Sequence, residues 1–205
     1  MKKLFALATA LLLFVGVSSA QTYFNLGYGQ GTTVTTFGDM DPDNANSNIL
    51  YAGISHNFSF GNFVGFELGA NFAYDFANTK FDADGAEAGV KTQYMGIVVP
   101  ALFNYRIALS RDLCLKIFLG PTFNYGLKYT STPYVGNENS YTINYYGEDG
   151  GYNHFGVSAS AAFAMEVAEA FRIKVGYDYG LIDLNTSDQV KEKENVVNFS
   201  VAYMF

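Results

Sequence analysis

Two histidines, one cysteine and six charged residues beside tight turns are the side chains of this 205-residue chain that invite a chemical reading. Nucleophilic catalysis needs a hydroxyl or thiol within reach of an oriented base. His56 falls among large apolar residues at a spacing of two, and His154 precedes a later alternating stretch with only Ser140 and Asp149 as nearby partners. No Ser-His spacing motif links them, so an enzyme is not expected. Cys114 is the single cysteine, which excludes an intramolecular disulfide, and its parity makes it a small inward filler. Asp39, Asp41 and Asp43 alternate as in a calcium loop, but the sixth-position glycine and closing glutamate are missing. This reads as a solvated acidic loop. Neither a metal nor a cofactor is expected, and a net charge of −7 argues against nucleic acid.

The six charges are Glu67, Arg106, Lys116, Glu166, Arg172 and Lys174. Their setting is a strict alternation, clearest from Val64 to Phe76, where Val64, Phe66, Leu68, Ala70, Phe72, Tyr74 and Phe76 share one face. A period of two is a β-strand. Strands of soluble domains run about 5–6 residues, whereas crossing a bilayer takes about 9–11. The other face carries Gly, Ala and Asn rather than a solvated mixture, as a narrow lumen would. The large residues therefore face lipid, and the six charges share the lumen.

The alternation recurs at 22–31, 49–60, 64–77, 93–108, 113–128, 153–168, 171–183 and 195–205. Connections alternate between short (61–63, 109–112, 168–170) and long (32–48, 78–92, 129–152, 184–194), with short turns periplasmic. Eight antiparallel up-and-down strands must close into a transmembrane β-barrel, because lipid cannot satisfy an open sheet edge. Eight strands leave room only for the barrel's own side chains. The charges then form a buried plug, Glu67 with Arg106 and Glu166 with Lys116, Arg172 or Lys174. Buried charge survives only when paired.

Residues 1–20 read as a signal peptide: Lys2 and Lys3, an apolar run from Leu4 to Val17, and the small residues Ser18, Ser19 and Ala20. Residues 21–205 are then one barrel in the bacterial outer membrane. The chain ends on alternating apolar residues, with Asn198, Ser200, Tyr203 and Phe205 in the places of a signal read by the barrel-assembly machinery; Ser200 stands where glycine is usual. No wall-binding domain is expected after Phe205.

Met95 to Ile107 (MGIVVPALFNYRI), Lys116 to Tyr125 (KIFLGPTFNY) and Phe171 to Asn185 (FRIKVGYDYGLIDLN) resemble the PorT-like outer-membrane β-barrel family. That resemblance implies a small barrel and, for the name-giving member, an accessory role in protein secretion. Pro100 and Pro121 lie inside strands, so a bulge or missing ladder bond is expected at each.

The long stretch 129–152 is rich in tyrosine among small polar residues, the chemistry of adaptable binding surfaces. Tyr134, Tyr141, Tyr145 and Tyr146 are its candidate binding residues, for a surface protein or carbohydrate; girdle or loop packing is the other reading. The expectation is a monomeric, non-enzymatic barrel contacting outer-membrane lipid and lipopolysaccharide, adhesive or envelope-stabilising. A secretion accessory, a narrow channel and a soluble lipocalin-like barrel are the competitors.

Overall fold

The computed structural model describes residues 21–205, apart from 39, 84, 85, 137, 140, 148, 149, 169 and 188. The signal peptide read from residues 1–20 lies outside the described residues. The strands are β1 (Gln21–Phe37), β2 (Asp43–Phe60), β3 (Val64–Ala83), β4 (Ala86–Ala108), β5 (Leu113–Val135), β6 (Glu138–Asn139), β7 (Ile143–Asn144), β8 (Phe155–Val167), β9 (Phe171–Gly180) and β10 (Val190–Met204). Eight of them pair antiparallel with their neighbours into a ring, which β1 and β10 close from Tyr23–Met204 to Phe37–Val190. The two-residue β6 and β7 attach to the outer end of β5. Closure leaves no unpaired edge, and the alternation of side chains turns each strand into an outer and an inner face. Among the described residues no helix is long and apolar enough to cross a membrane.

The outer face is a band of exposed large residues. Phe163, Val175 and Phe199 lie side by side in register across three strands, each about half exposed. Inside, the buried positions are small or polar, among them Asn25, Ser55, Asn57, Asn104, Ala164 and Ala202. Leu102, Phe118, Ala162 and Ala164 form a buried apolar cluster.

The strands run further outward than their apolar alternation does. β3 and β4 pair up to Ala83–Ala86, so most of the long connection expected at 78–92 is a projecting hairpin. Likewise β1 and β2 pair out to Thr35–Asp43, and β5 continues to Val135. These extensions lose the contrast between a large apolar face and a small one because neither side meets lipid, and ladder hydrogen bonds hold them. At the opposite end the turns are tight, with Gly61 and Ala168 in the left-handed region at φ 81° and 54°.

The ladders are broken near both strand prolines. β3–β4 pairing skips from Leu68–Ala101 to Asn71–Val98 around Pro100, and β4–β5 pairing skips from Pro100–Thr122 to Phe103–Leu119 around Pro121. Register is kept across both gaps. It shifts instead at Met95/Gly96, where Leu127 is the extra residue on β5. That bulge exchanges the two faces of β5 above it.

Candidate functional site

In the half of the lumen near the short turns, five charges meet out of solvent. Glu67, on β3, is fully buried and pairs with Arg172 and, at 3.4 Å, Lys174, both on β9. Glu166 on β8 holds Lys116 on β5 at 2.8 Å and lies 3.8 Å from Arg172. Neutral donors and acceptors complete the shell. The Tyr23 hydroxyl donates to Glu166 Oε1 at 2.8 Å, and Arg172 Nη2 donates to Asn25 Oδ1 and Ser55 Oγ, both at 3.2 Å. The Arg172 guanidinium lies 4.0 Å from the Tyr23 ring centre. Cys114 Sγ donates to Glu166 Oε2 at 3.3 Å.

The pairing differs from the one read in the sequence, which set Glu67 against Arg106. The register places Glu67 opposite Leu102, four residues up the strand from Arg106, a rise of roughly 13 Å. Glu67 instead takes its partners from across the lumen. Arg106 lies opposite Lys116, close to Cys114.

Above the plug the lumen opens into two abutting cavities of about 120 and 150 Å³. Asp75, Tyr94, Asn124 and Glu194 line both. The mouth is roofed by the chain after β5. β7 pairs with Thr130 and Ser131, which turns Tyr145 onto Tyr129 and Tyr152 at ring distances of 4.5 and 4.9 Å. Tyr146 stacks on His154 at 4.1 Å and lies flat over Gly126, where any side chain would collide with it. His154 Nδ1 donates to the Gly126 carbonyl oxygen at 2.7 Å. Burial, the neighbouring Tyr129 and the bond to Glu192 push the Tyr152 phenol above its ordinary range, and burial does the same to Tyr146. Both stay neutral, and the Tyr152 hydroxyl donates to Glu192.

The structure does not gather the four candidate tyrosines on one outward surface. Tyr145 and Tyr146 fold into the mouth. Tyr134, set by the bulge on the other face of β5, is buried against Gly89, beneath Lys91, and donates to Asn78 Oδ1 at 3.0 Å. Only Tyr141 projects, 72% exposed. Tyr94, Tyr129 and the carboxylates of the outer lumen come together through ring closure and the bulge, which the parity of single strands does not reveal.

Tyr203 and Phe205 face outward, Ser200 is buried, and Asn198 donates to Asp178 Oδ2 at 2.8 Å. His56 faces outward and shares a hydrogen bond with the Thr22 hydroxyl at 3.0 Å. Ser140 and Asp149, the partners considered for His154, lie outside the described residues.

The model of the outer membrane protein beta-barrel domain family matches residues 19–185. Among solved structures the chain is similar to the attachment invasion locus protein Ail of Yersinia pestis (13% identity, 90% of this chain and 99% of that one, TM-score 0.43). It is also similar to OprG from Pseudomonas aeruginosa (13%, 90% and 96%, TM-score 0.37) and to the outer membrane enzyme PagL (12%, 88% and 98%, TM-score 0.40). At these identities and scores the likenesses assign no function. None of the curated proteins matches.

Proposed function

This chain belongs to the outer membrane protein beta-barrel domain family, and we propose that it is a closed, non-enzymatic barrel of the bacterial outer membrane whose work is done at its outer end. The observation that carries this reading is the plug. Arg172, Lys116 and Glu67 are at most 2% exposed, in a lumen already narrowed by eight strands. A path for solutes would have to break ion pairs whose partners cannot be left uncompensated. Activity is therefore displaced to the projecting hairpins and the roof of the mouth.

Adhesion fits that outer end better than pure envelope reinforcement. Phe37, Met40, Val135 and Tyr141, all beyond the lipid-facing band, are 45–72% exposed. Scattered exposed apolar residues are ordinary, but aromatic and methionine side chains at strand tips are the anchors protein interfaces use. His56 meets the Thr22 hydroxyl on the outward face with no partner on its Nε2 to orient the ring, and His154 bonds a backbone carbonyl, which favours binding over catalysis.

The test is a set of tip variants, Met40→Ser, Val135→Ser and Tyr141→Ser, expressed together in cells and compared for attachment to host or neighbouring cells and for export of secreted proteins. Lost attachment with normal export supports the reading. Lost export with normal attachment overturns it in favour of a PorT-like secretion accessory, for which the periplasmic turn residues Arg111 and Asp112 would then be probed.

A further inference from the structure

One side chain at the plug is uncharged and adds nothing to its charge balance. Gln21 opens β1, where its backbone pairs with Asn57 and its side chain turns into the lumen with that of Tyr23. The Gln21 Oε1 atom lies 3.4 Å from Lys116 Nζ and 2.9 Å from the Tyr23 hydroxyl. The same ammonium is 2.8 Å from Glu166 Oε1, and the same hydroxyl is 2.8 Å from that carboxylate oxygen. Tyr23, Lys116 and Glu166 are at most 6% exposed. Amine, carboxylate, hydroxyl and carboxamide, drawn from β1, β5 and β8, thus meet in one closed circuit.

Charge pairing alone asks for less, since Glu166 already compensates the buried lysine. The circuit has the parts of an acyl transfer. The lysine nitrogen is the nucleophile, and the carbon it attacks is one C=O bond beyond Gln21 Oε1. Glu166 is the base within hydrogen-bond reach of that nucleophile. The oxygen that gains negative charge as the carbon becomes tetrahedral already faces the Tyr23 hydroxyl. That hydroxyl has a single proton for two acceptors. Once Glu166 takes a proton from the lysine, the hydroxyl is released to the carboxamide oxygen. Burial keeps water from competing for the carbon.

We propose that Lys116 and Gln21 join in an intramolecular isopeptide bond formed by the folded barrel itself. The bond between Lys116 Nζ and Gln21 Cδ forms, and the bond between Gln21 Cδ and Nε2 breaks. Glu166 carries two protons from the lysine nitrogen to the departing nitrogen, which leaves as ammonium, so atoms and charge balance without an oxidant. Glu166 is not orphaned when the lysine loses its charge. The Tyr23 hydroxyl, the Cys114 thiol and, at 3.8 Å, Arg172 remain around it. β1 and β5 are four strands apart in either direction around the ring. The bond therefore straps the barrel across its width at the end with the short turns, and ties down a strand of the closing seam.

Removal of the leader expected before Gln21 frees a second amine, the α-nitrogen of Gln21. It can attack the same carbon and close a pyroglutamate ring with the same loss of ammonia. Mass alone does not separate the two products, but trypsin does, because it cuts only after a free Lys116.

Mass spectrometry of the chain purified from outer membranes, intact and after trypsin, tests the bond. The expected result is a mass lower by one ammonia and a branched peptide joining Gln21 to an uncut Lys116. Lys116→Arg and Gln21→Met abolish the branched peptide. Glu166→Gln, which keeps the shape of the side chain and loses the base, forms it about a hundredfold more slowly after refolding. Boiled unaltered chain runs ahead of boiled Lys116→Arg on a denaturing gel, because a closed loop survives unfolding. An unaltered chain that keeps its full mass, or one that has lost ammonia yet is cut after Lys116, overturns the proposal. If the variants do not fold, the peptide map of the unaltered protein decides.

Discussion

Arg172 reaches Glu67 across the full width of the barrel: β9 and β3 are four strands apart in either direction around the ring. The two residues are 105 positions apart in the chain. Their contact forms only once all eight strands have closed, so the plug reports completed assembly rather than local folding. Lys116 and Glu166, by contrast, sit on the paired strands β5 and β8.

Removing one member of the cross-lumen pair leaves the other charged and buried. Glu67→Ala is expected to destabilise the refolded barrel by about 3–5 kcal/mol. The double variant Glu67→Leu, Arg172→Met is expected to recover most of that loss. Urea unfolding followed by heat-modifiable gel migration measures both, and a double variant as unstable as the single one would contradict the paired role.

Tyr23 contributes a hydroxyl to Glu166 and a ring face to Arg172. Tyr23→Phe keeps the ring and is expected to cost about 0.5–1.5 kcal/mol, the value of one hydrogen bond. Tyr23→Ala, which also opens a cavity beneath the guanidinium, is expected to cost about 3–5 kcal/mol. Equal costs would show that the ring does not matter.

Val175 stands in the middle of the outward band, beside Phe163 and Phe199. Val175→Arg is expected to destabilise the barrel in lipid by about 2–4 kcal/mol, the cost of arginine at the bilayer midplane. Thr32→Arg, above the band on β1, is expected to cost at most about 1 kcal/mol. Refolding into vesicles gives the comparison, and identical costs would mean that the band does not face lipid.

Gly126 lets the Tyr146 ring lie on the wall. Gly126→Val is expected to expel that ring, unstack it from His154 and expose the chain around 136–151 to protease several-fold faster. Heat-modifiable migration should be unchanged. Unaltered cleavage would show that the roof is held by other contacts.

The lipid-spanning parts of the strands were legible because one face of each is large and apolar and the other small. The outer extensions were not. Thr32 to Thr36 and Asn44 to Asn48 carry no such contrast, and their pairing rests on backbone hydrogen bonds that any sequence can make. The six lumen charges could be read from parity, yet the partner of Glu67 could not, since a strand's parity says which face a residue takes and nothing about what lies across the barrel. Tyr134 was misleading for a local reason: the bulge at Met95/Gly96 exchanges the faces of β5, and no glycine or proline pattern marks it uniquely.

A barrel that works only at its outer end must have a shut lumen. Single-channel recording of the refolded protein in planar bilayers, at voltages the membrane tolerates, measures this directly. A silent bilayer with wild-type protein, and discrete openings only after Arg172 and Glu67 are both replaced by alanine, is the predicted result. Stable, reproducible openings of the unaltered protein would contradict it and make the chain a channel.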